Sequence, residues 1–184
     1  MWNPILTFAV FLVIAGTGAH AFELTSPDLT PGEPIPETFI YNGFGCTGGN
    51  QSPALTWTDQ PEGTRSFALM VHDPDAPTGG AGIWHWVVVN LPASLRGLGR
   101  DAGTRDGAHL PSGARQIVTD FEVPGWNGPC PPVETGQHAY NFTLYALKVE
   151  TLALPAVVTA SHAGFYVVRN ALAKATLTAT YQRH

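Results

Sequence analysis

Ser66-Phe67-Ala68-Leu69-Met70-Val71-His72-Asp73-Pro74-Asp75-Ala76-Pro77 and, shortly after it, Trp84-His85-Trp86-Val87-Val88-Val89-Asn90 decide the fold class of this chain. The run from Ser66 to His72 is compact and apolar and stops at a turn rich in Asp and Pro, which suits a strand buried on both faces. Trp84 to Asn90 reads as a second strand: three β-branched residues in a row and two tryptophans favour the sheet, and Leu91-Pro92 ends it. Alternation places His85 with Val87 and Val89 on the face opposite both tryptophans.

Outward from these two runs, His138 to Lys148 alternates, with His138, Tyr140, Phe142 and Leu144 on one face and Asn141, Thr143 and Tyr145 on the other, and predicts a third strand. Thr176 to Tyr181 is a fourth. One stretch has helical character, Ser161 to Ala175, where Phe165, Val168, Leu172 and Ala175 form a stripe at three- and four-residue spacings. Phe22 to Ser52 is rich in Pro, Gly and Thr and reads as irregular wrapping with short edge strands such as Thr38 to Tyr41. Pro92 to Gln137 is a long loop dense in Gly, Pro, Arg and Asp, a length that points to function or to short hidden elements. The fold class is therefore mostly β with one or two helices.

The 184 residues suit one domain. Apolar residues make up 44% and charged ones 12%, well below the roughly 25% usual in globular chains, with 20 Gly and 16 Pro. Coiled coils, long bundles and charge-driven disorder are excluded on that balance. Nine Lys and Arg against fourteen Asp and Glu give a net charge of −5, so no basic patch exists for a phosphate backbone to follow and nucleic acid is not an expected partner.

Residues 1–21 contain no Asp, Glu, Lys or Arg, and the apolar run Ile5 to Ala15 has the length of a signal-peptide core, short of the roughly 20 residues that span a bilayer. Ala19-His20-Ala21 supplies a cleavage pattern. The expectation is a signal peptide over 1–21, cleaved before Phe22, and one exported domain over 22–184, periplasmic or secreted, with no stable membrane insertion after cleavage. In an exported chain the pair Cys46 and Cys130, set among Gly and Pro, reads most simply as a disulfide. The rival reading makes Cys130 a nucleophile with His138 as its base.

Three places could carry chemistry. Asp73-Pro74-Asp75-Ala76-Pro77 holds two carboxylates on a stiff turn at a strand end, though taken alone it reads as an Asp capping a turn. His85 sits inside a strand and taken alone reads as a core histidine bonded to a carbonyl. Gly128-Pro129-Cys130-Pro131-Pro132 is a rigid loop leading to His138 and Tyr140 on one strand face. Together they set carboxylates, two imidazoles and a phenol around stiff loops, as in a small polar pocket of a β-rich domain.

Six blocks in order carry a resemblance to a known family: Gly49 to Trp57, Gly63 to Leu69, Asp73 to Pro77, Trp84 to Asn90, Gly128 to Pro132, and His138-Ala139-Tyr140. The chain resembles the phosphatidylethanolamine-binding protein (PEBP) family, in its bacterial Raf-kinase-inhibitor-like branch. The resemblance implies an antiparallel β-sandwich with a few short peripheral helices and a shallow pocket for phosphate-type groups and phospholipid head groups. It implies that Asp73, His85, His138 and Tyr140 line that pocket, with Gly128 and Pro129 on its rim and Asp75 behind it. The imidazoles and the Tyr140 hydroxyl would then donate to the anion, while Asp73 orients a histidine or pairs with an amine such as ethanolamine. Few residues follow Tyr181, and no long C-terminal lid is expected.

The function expected is therefore non-enzymatic binding of an anionic small molecule or phospholipid head group, with no cofactor and no metal. No G-x-S-x-G, S-x-x-K or H-E-x-x-H motif is present. Two alternatives come from other classes. One is an inhibitor or signalling partner of a protease or kinase, acting through Pro92 to Gln137. The other is a metal-dependent hydrolase using Asp73, His85 and His138.

Overall fold

The computed structural model describes residues 21–184. The signal-peptide reading falls almost wholly on residues outside that range. Ten strands form three sheets: β1 (Glu23–Thr25), β2 (Asn42–Gly43), β3 (Cys46–Thr47), β4 (Leu55–Thr58), β5 (Ser66–Asp73), β6 (Ile83–Pro92), β7 (Gly97–Leu98), β8 (Arg115–Gln116), β9 (His138–Leu147) and β10 (Ala171–Tyr181), with one helix, α1 (Ala160–Asn170). A five-stranded sheet runs β10-β9-β5-β6-β8, a three-stranded sheet runs β1-β4-β7, and β2-β3 is a hairpin. All pairings between the strands are antiparallel.

β5 lies in the middle of the large sheet and is covered on both faces, which is why its sequence never alternates with polar residues. Phe67, Leu69 and Val71 enter the core between the two main sheets, with Leu55, Trp57, Trp86, Trp126, Phe142 and Leu144. Ala68 and Met70 face an outer layer built with Val87, Val89, Ile117 and the helix residues Ala160, Ala163 and Val167. Aromatic contacts knit the inner core: Trp57 meets Phe67 edge-on at 5.4 Å and Trp126 stacks on Phe142 at 5.7 Å. Each fully buried ring of this size contributes on the order of 2–3 kcal/mol.

Two sequence expectations are corrected here. The helix begins where expected, with Thr159 as N-cap accepting from the His162 amide at 3.2 Å, but it ends at Asn170, and Ala171 to Ala175 belong to β10. Pairing of Ala171 with Leu147 and of Ala173 to Ala175 with β9 overrides the helix propensity of those residues. The predicted stripe is accordingly not the buried one: Phe165, Val168 and Leu172 are 56%, 61% and 43% exposed, while Ala160, Ala163 and Val167 face the sheet. Thr38 to Tyr41 is not a strand either. Glu37–Phe39 forms a single 3-10 turn after Pro36, and the hairpin starts at Asn42.

The long Pro92 to Gln137 segment hides β7 and β8 and is pinned to the core by side chains. The Trp86 indole donates to Gln116 Oε1 at 2.8 Å, Gln116 donates onward to Thr104 O at 2.8 Å, and the Trp126 indole donates to Phe39 O at 3.1 Å. These bonds tie Thr104, Gln116 and Trp126 of the segment to β6 and to the 3-10 turn at Phe39.

Candidate functional site

Asp73 is the last residue of β5, and its carboxylate is fully engaged. Oδ1 accepts from the amides of Asp75 at 2.9 Å and Ala76 at 3.1 Å, the turn-capping role that the prolines favour. Oδ2 accepts from His138 Nδ1 at 2.8 Å. Asp75 reaches across to β9, where its Oδ2 accepts from the Ala139 amide at 2.8 Å. The turn is thus tied to the start of the strand that carries His138 and Tyr140.

His85 reaches the same place by a bulge. Val71 faces Trp86 but His72 faces Trp84, so His85 is the extra residue on β6. The expected alternation therefore fails at this point. Trp86 and Val88 turn into the inner core and Trp84 packs with Val87 and Val89 on the outer layer. His85 instead meets Tyr140 edge-on at 5.1 Å and Phe121 at 5.1 Å. Its Nδ1 lies 2.6 Å from Asn127 O, and the Asn127 amide donates back to His85 O at 3.1 Å. Burial pushes the imidazole down to about 4, against the opposing pull of the Asn127 carbonyl and the Asp73 charge. The ring is neutral near pH 7, gives its proton to Asn127, and offers Nε2 as an acceptor. This corrects the expectation that both imidazoles donate to a ligand.

Asp73, His85, His138 and Tyr140 line one cavity of about 450 Å³, together with Phe44, Thr78, Ile83, Asp120, Phe121, Cys130, Pro131, Pro132 and Arg183 among others. Burial, with the Asp73 charge beside it, drives the Tyr140 phenol upward and keeps it protonated. Its hydroxyl is buried with no hydrogen-bond partner, one of four such side-chain atoms among the described residues. Asp120 accepts from the Trp84 amide at 2.8 Å. Arg183 is the one Lys or Arg in the lining; it donates to Phe44 O at 3.2 Å and Gly45 O at 3.0 Å.

Gly128 and Pro129 are buried behind the cavity wall, and Cys130, Pro131 and Pro132 form the wall itself. The Gly128 amide donates to Asn50 Oδ1 at 2.9 Å, Pro129 O accepts from the Tyr41 amide at 3.1 Å, and a Cβ on residue 128 would overlap the Phe39 carbonyl. A disulfide joins Cys46 to Cys130 across 84 positions of sequence and leaves no free thiol among the described residues, so Cys130 is no nucleophile here. It clamps the β2-β3 hairpin, which carries Phe44, against that wall. No group of three or more His, Cys, Asp or Glu side chains among the described residues is placed to hold a metal ion.

Sequence reasoning passed over Phe44, Asp120, Phe121 and Arg183. Phe44 had a signal: an aromatic between two glycines, two residues before a cysteine, takes a left-handed φ of 52° and holds its ring out at 75% exposure. Its ring lies 5.4 Å from Tyr41 and 6.2 Å from Phe121, making an aromatic rim. Arg183, near the end of the chain, had none.

The description "Phosphatidylethanolamine-binding protein" matches residues 25–182. The chain belongs to that family. It is 43% identical to the UPF0098 protein YbcL of Escherichia coli K12 over 180 residues, covering 98% of this chain and 96% of that protein. The crystal structure of YbcL, described as a member of the mammalian PEBP family, superposes with a TM-score of 0.85 at 45% identity, covering 89% of this chain and 99% of that one. The UPF0098 protein YbhB of the same organism is 43% identical over 159 residues, 86% of this chain and 99% of that protein. LppC of Mycobacterium tuberculosis H37Rv, named as a lipoprotein, is 35% identical over 164 residues, 89% of this chain and 74% of that protein. The PEBP fold expected from the sequence is the one observed.

Proposed function

We propose that this protein is an exported, non-enzymatic PEBP-type binding protein whose pocket at the ends of β5, β6 and β9 takes a phosphate group or phospholipid head group. The observation that carries the reading is the Tyr140 hydroxyl, a buried donor with no partner at full hydrogen-bonding geometry and the Asp73 carboxylate beside it, on a residue that lines the same cavity as Arg183. A bare anion would meet Asp73 and Asp120 as well. Asp73 is already answered by two amides and His138, and Asp120 by the Trp84 amide, which reduces the repulsion. A zwitterionic head group uses all of the lining: its phosphate faces Tyr140 and Arg183, and its ammonium faces Asp120, the Nε2 lone pair of His85 and the aromatic rim. Export is supported by the disulfide and by the lipoprotein name of LppC, and no helix among the described residues is long and apolar enough to cross a membrane.

The test is isothermal titration of inorganic phosphate and of phosphoethanolamine into the purified protein and its Tyr140→Phe variant. The reading expects saturable binding of both, tighter for phosphoethanolamine, and a loss of about tenfold in Tyr140→Phe, the scale of one charge-assisted hydrogen bond. Failure of both ligands to bind the wild-type protein at millimolar concentration overturns it.

A further inference from the structure

Both polar edges of His138 are taken inside the protein. Nδ1 lies 2.8 Å from Asp73 Oδ2, Nε2 lies 2.9 Å from Thr135 Oγ1, and the residue is 1% exposed. An imidazole has no third polar edge. The Thr135 hydroxyl donates to Pro132 O at 2.7 Å, so its lone pairs are what it turns to Nε2. A ligand oxygen held by His138 therefore needs the position that Thr135 Oγ1 occupies. We infer that Thr135 is the selectivity residue of the pocket, a built-in hydroxyl competitor on His138 that an anionic oxygen displaces and a neutral one does not. The inference rests on the ligand-binding reading above.

The local structure suits a contact that gives way. Thr135 is exposed, and its two hydrogen bonds run to Pro132, three residues back in its own turn, and to His138. The turn is compact, with Glu134 and Gly136 both left-handed at φ 66° and 84°. Rotation of Thr135 about χ1 frees Nε2 without moving β9. Asp73 cannot follow, because two amides hold its other oxygen.

The selectivity comes from comparing hydrogen bonds. A neutral ligand hydroxyl at Nε2 replaces one hydroxyl acceptor by another and gains nothing. A phosphate oxygen replaces the hydroxyl by a charged acceptor, and the bond becomes the stronger one. Thr135 thereby lets a cavity that contains two carboxylates reject polyols and still admit phosphate-type oxygens.

The experiment is calorimetric titration of inorganic phosphate into the wild-type protein, Thr135→Ala and Thr135→Ser, repeated in excess glycerol. Thr135→Ala should bind phosphate about fivefold tighter, because one internal hydrogen bond no longer competes. Thr135→Ser should match the wild type, and glycerol should compete with phosphate in Thr135→Ala alone. Unchanged or weaker phosphate binding in Thr135→Ala overturns the inference. If phosphate binds none of the three proteins, the ligand reading fails on its own account, and the latch is judged by NMR of ¹⁵N-histidine-labelled protein. A His138 ring N–H that exchanges slowly in wild type and Thr135→Ser but fast in Thr135→Ala supports the latch; equal exchange in all three overturns it.

Discussion

The burial of His85 makes a quantitative prediction about acid. Its imidazole is pushed from 6.5 down to about 4, chiefly by loss of water. In the unfolded chain the ring takes up its proton near 6.5, and in the folded protein only near 4. Between these values the unfolded state binds more protons, so this contribution to stability is present above pH 6.5 and is lost as the pH falls toward 4. At pH 4.5 the loss relative to pH 7.5 comes to about 2–3 kcal/mol, a large part of a typical folding free energy. His85→Asn keeps a donor for Asn127 O but does not titrate. Urea denaturation followed by the fluorescence of the five tryptophans, at several values between pH 7.5 and 4.5, gives the two stability curves. All other titrating groups are common to both proteins. The wild type should lose about 2–3 kcal/mol more than His85→Asn over that range. Parallel curves would mean that His85 is hydrated in the folded protein and would refute the reasoning.

Other perturbations test the walls and floor of the pocket. Gly128→Ala drives a Cβ into the backbone of Phe39 to Tyr41, where nothing flexible can yield; it should cost about 3 kcal/mol or more, and a melting temperature within about 2 °C of wild type would contradict the packing. Replacing both Cys46 and Cys130 by Ser opens a loop of 84 positions, worth about 4.5 kcal/mol on the chain-entropy argument. Reductant should bring the wild type to the same urea midpoint, and a loss under about 1 kcal/mol would show that the open chain is already constrained. Asp73→Asn keeps an oxygen for the two turn amides, so the protein should fold with a loss of about 1–2 kcal/mol. Its phosphoethanolamine affinity by calorimetry should nevertheless fall about tenfold, because the carboxylate that fixes His138 Nδ1, and with it Nε2, is gone; unchanged affinity would leave Asp73 as a turn cap alone.

The central strands were legible because their environment is uniform along their length. β5 is apolar throughout since it is covered twice, and β9 alternates since one face meets the inner core and the other is half-exposed. Reading failed where the chain departs from a single period. The bulge at His85 reverses the alternation within one residue, and the departure lies in backbone pairing, for which Trp84-His85-Trp86 carries no compositional mark. At Asn170 the helix stops and β10 begins in a stretch of good helix formers, because an open edge of β9 is nearby in space and not in sequence. The same distinction runs through the site. Asp73, His138 and Tyr140 could be brought together in advance because each sits near the end of a strand whose period was readable, whereas His85 was placed with them by the family motif Trp84-His85-Trp86 and not by its period. Phe44, Asp120, Phe121 and Arg183 join them only through contacts that close loops: the Cys46–Cys130 bridge, the Asp120 bond to the Trp84 amide, and the Arg183 bonds to Phe44 and Gly45. Local pattern thus determines the part of the pocket that presents His138 and Tyr140. Long-range closure determines the half that decides which ligand enters, so relatives that share the strand motifs are expected to diverge in ligand choice at positions such as 44, 121, 135 and 183.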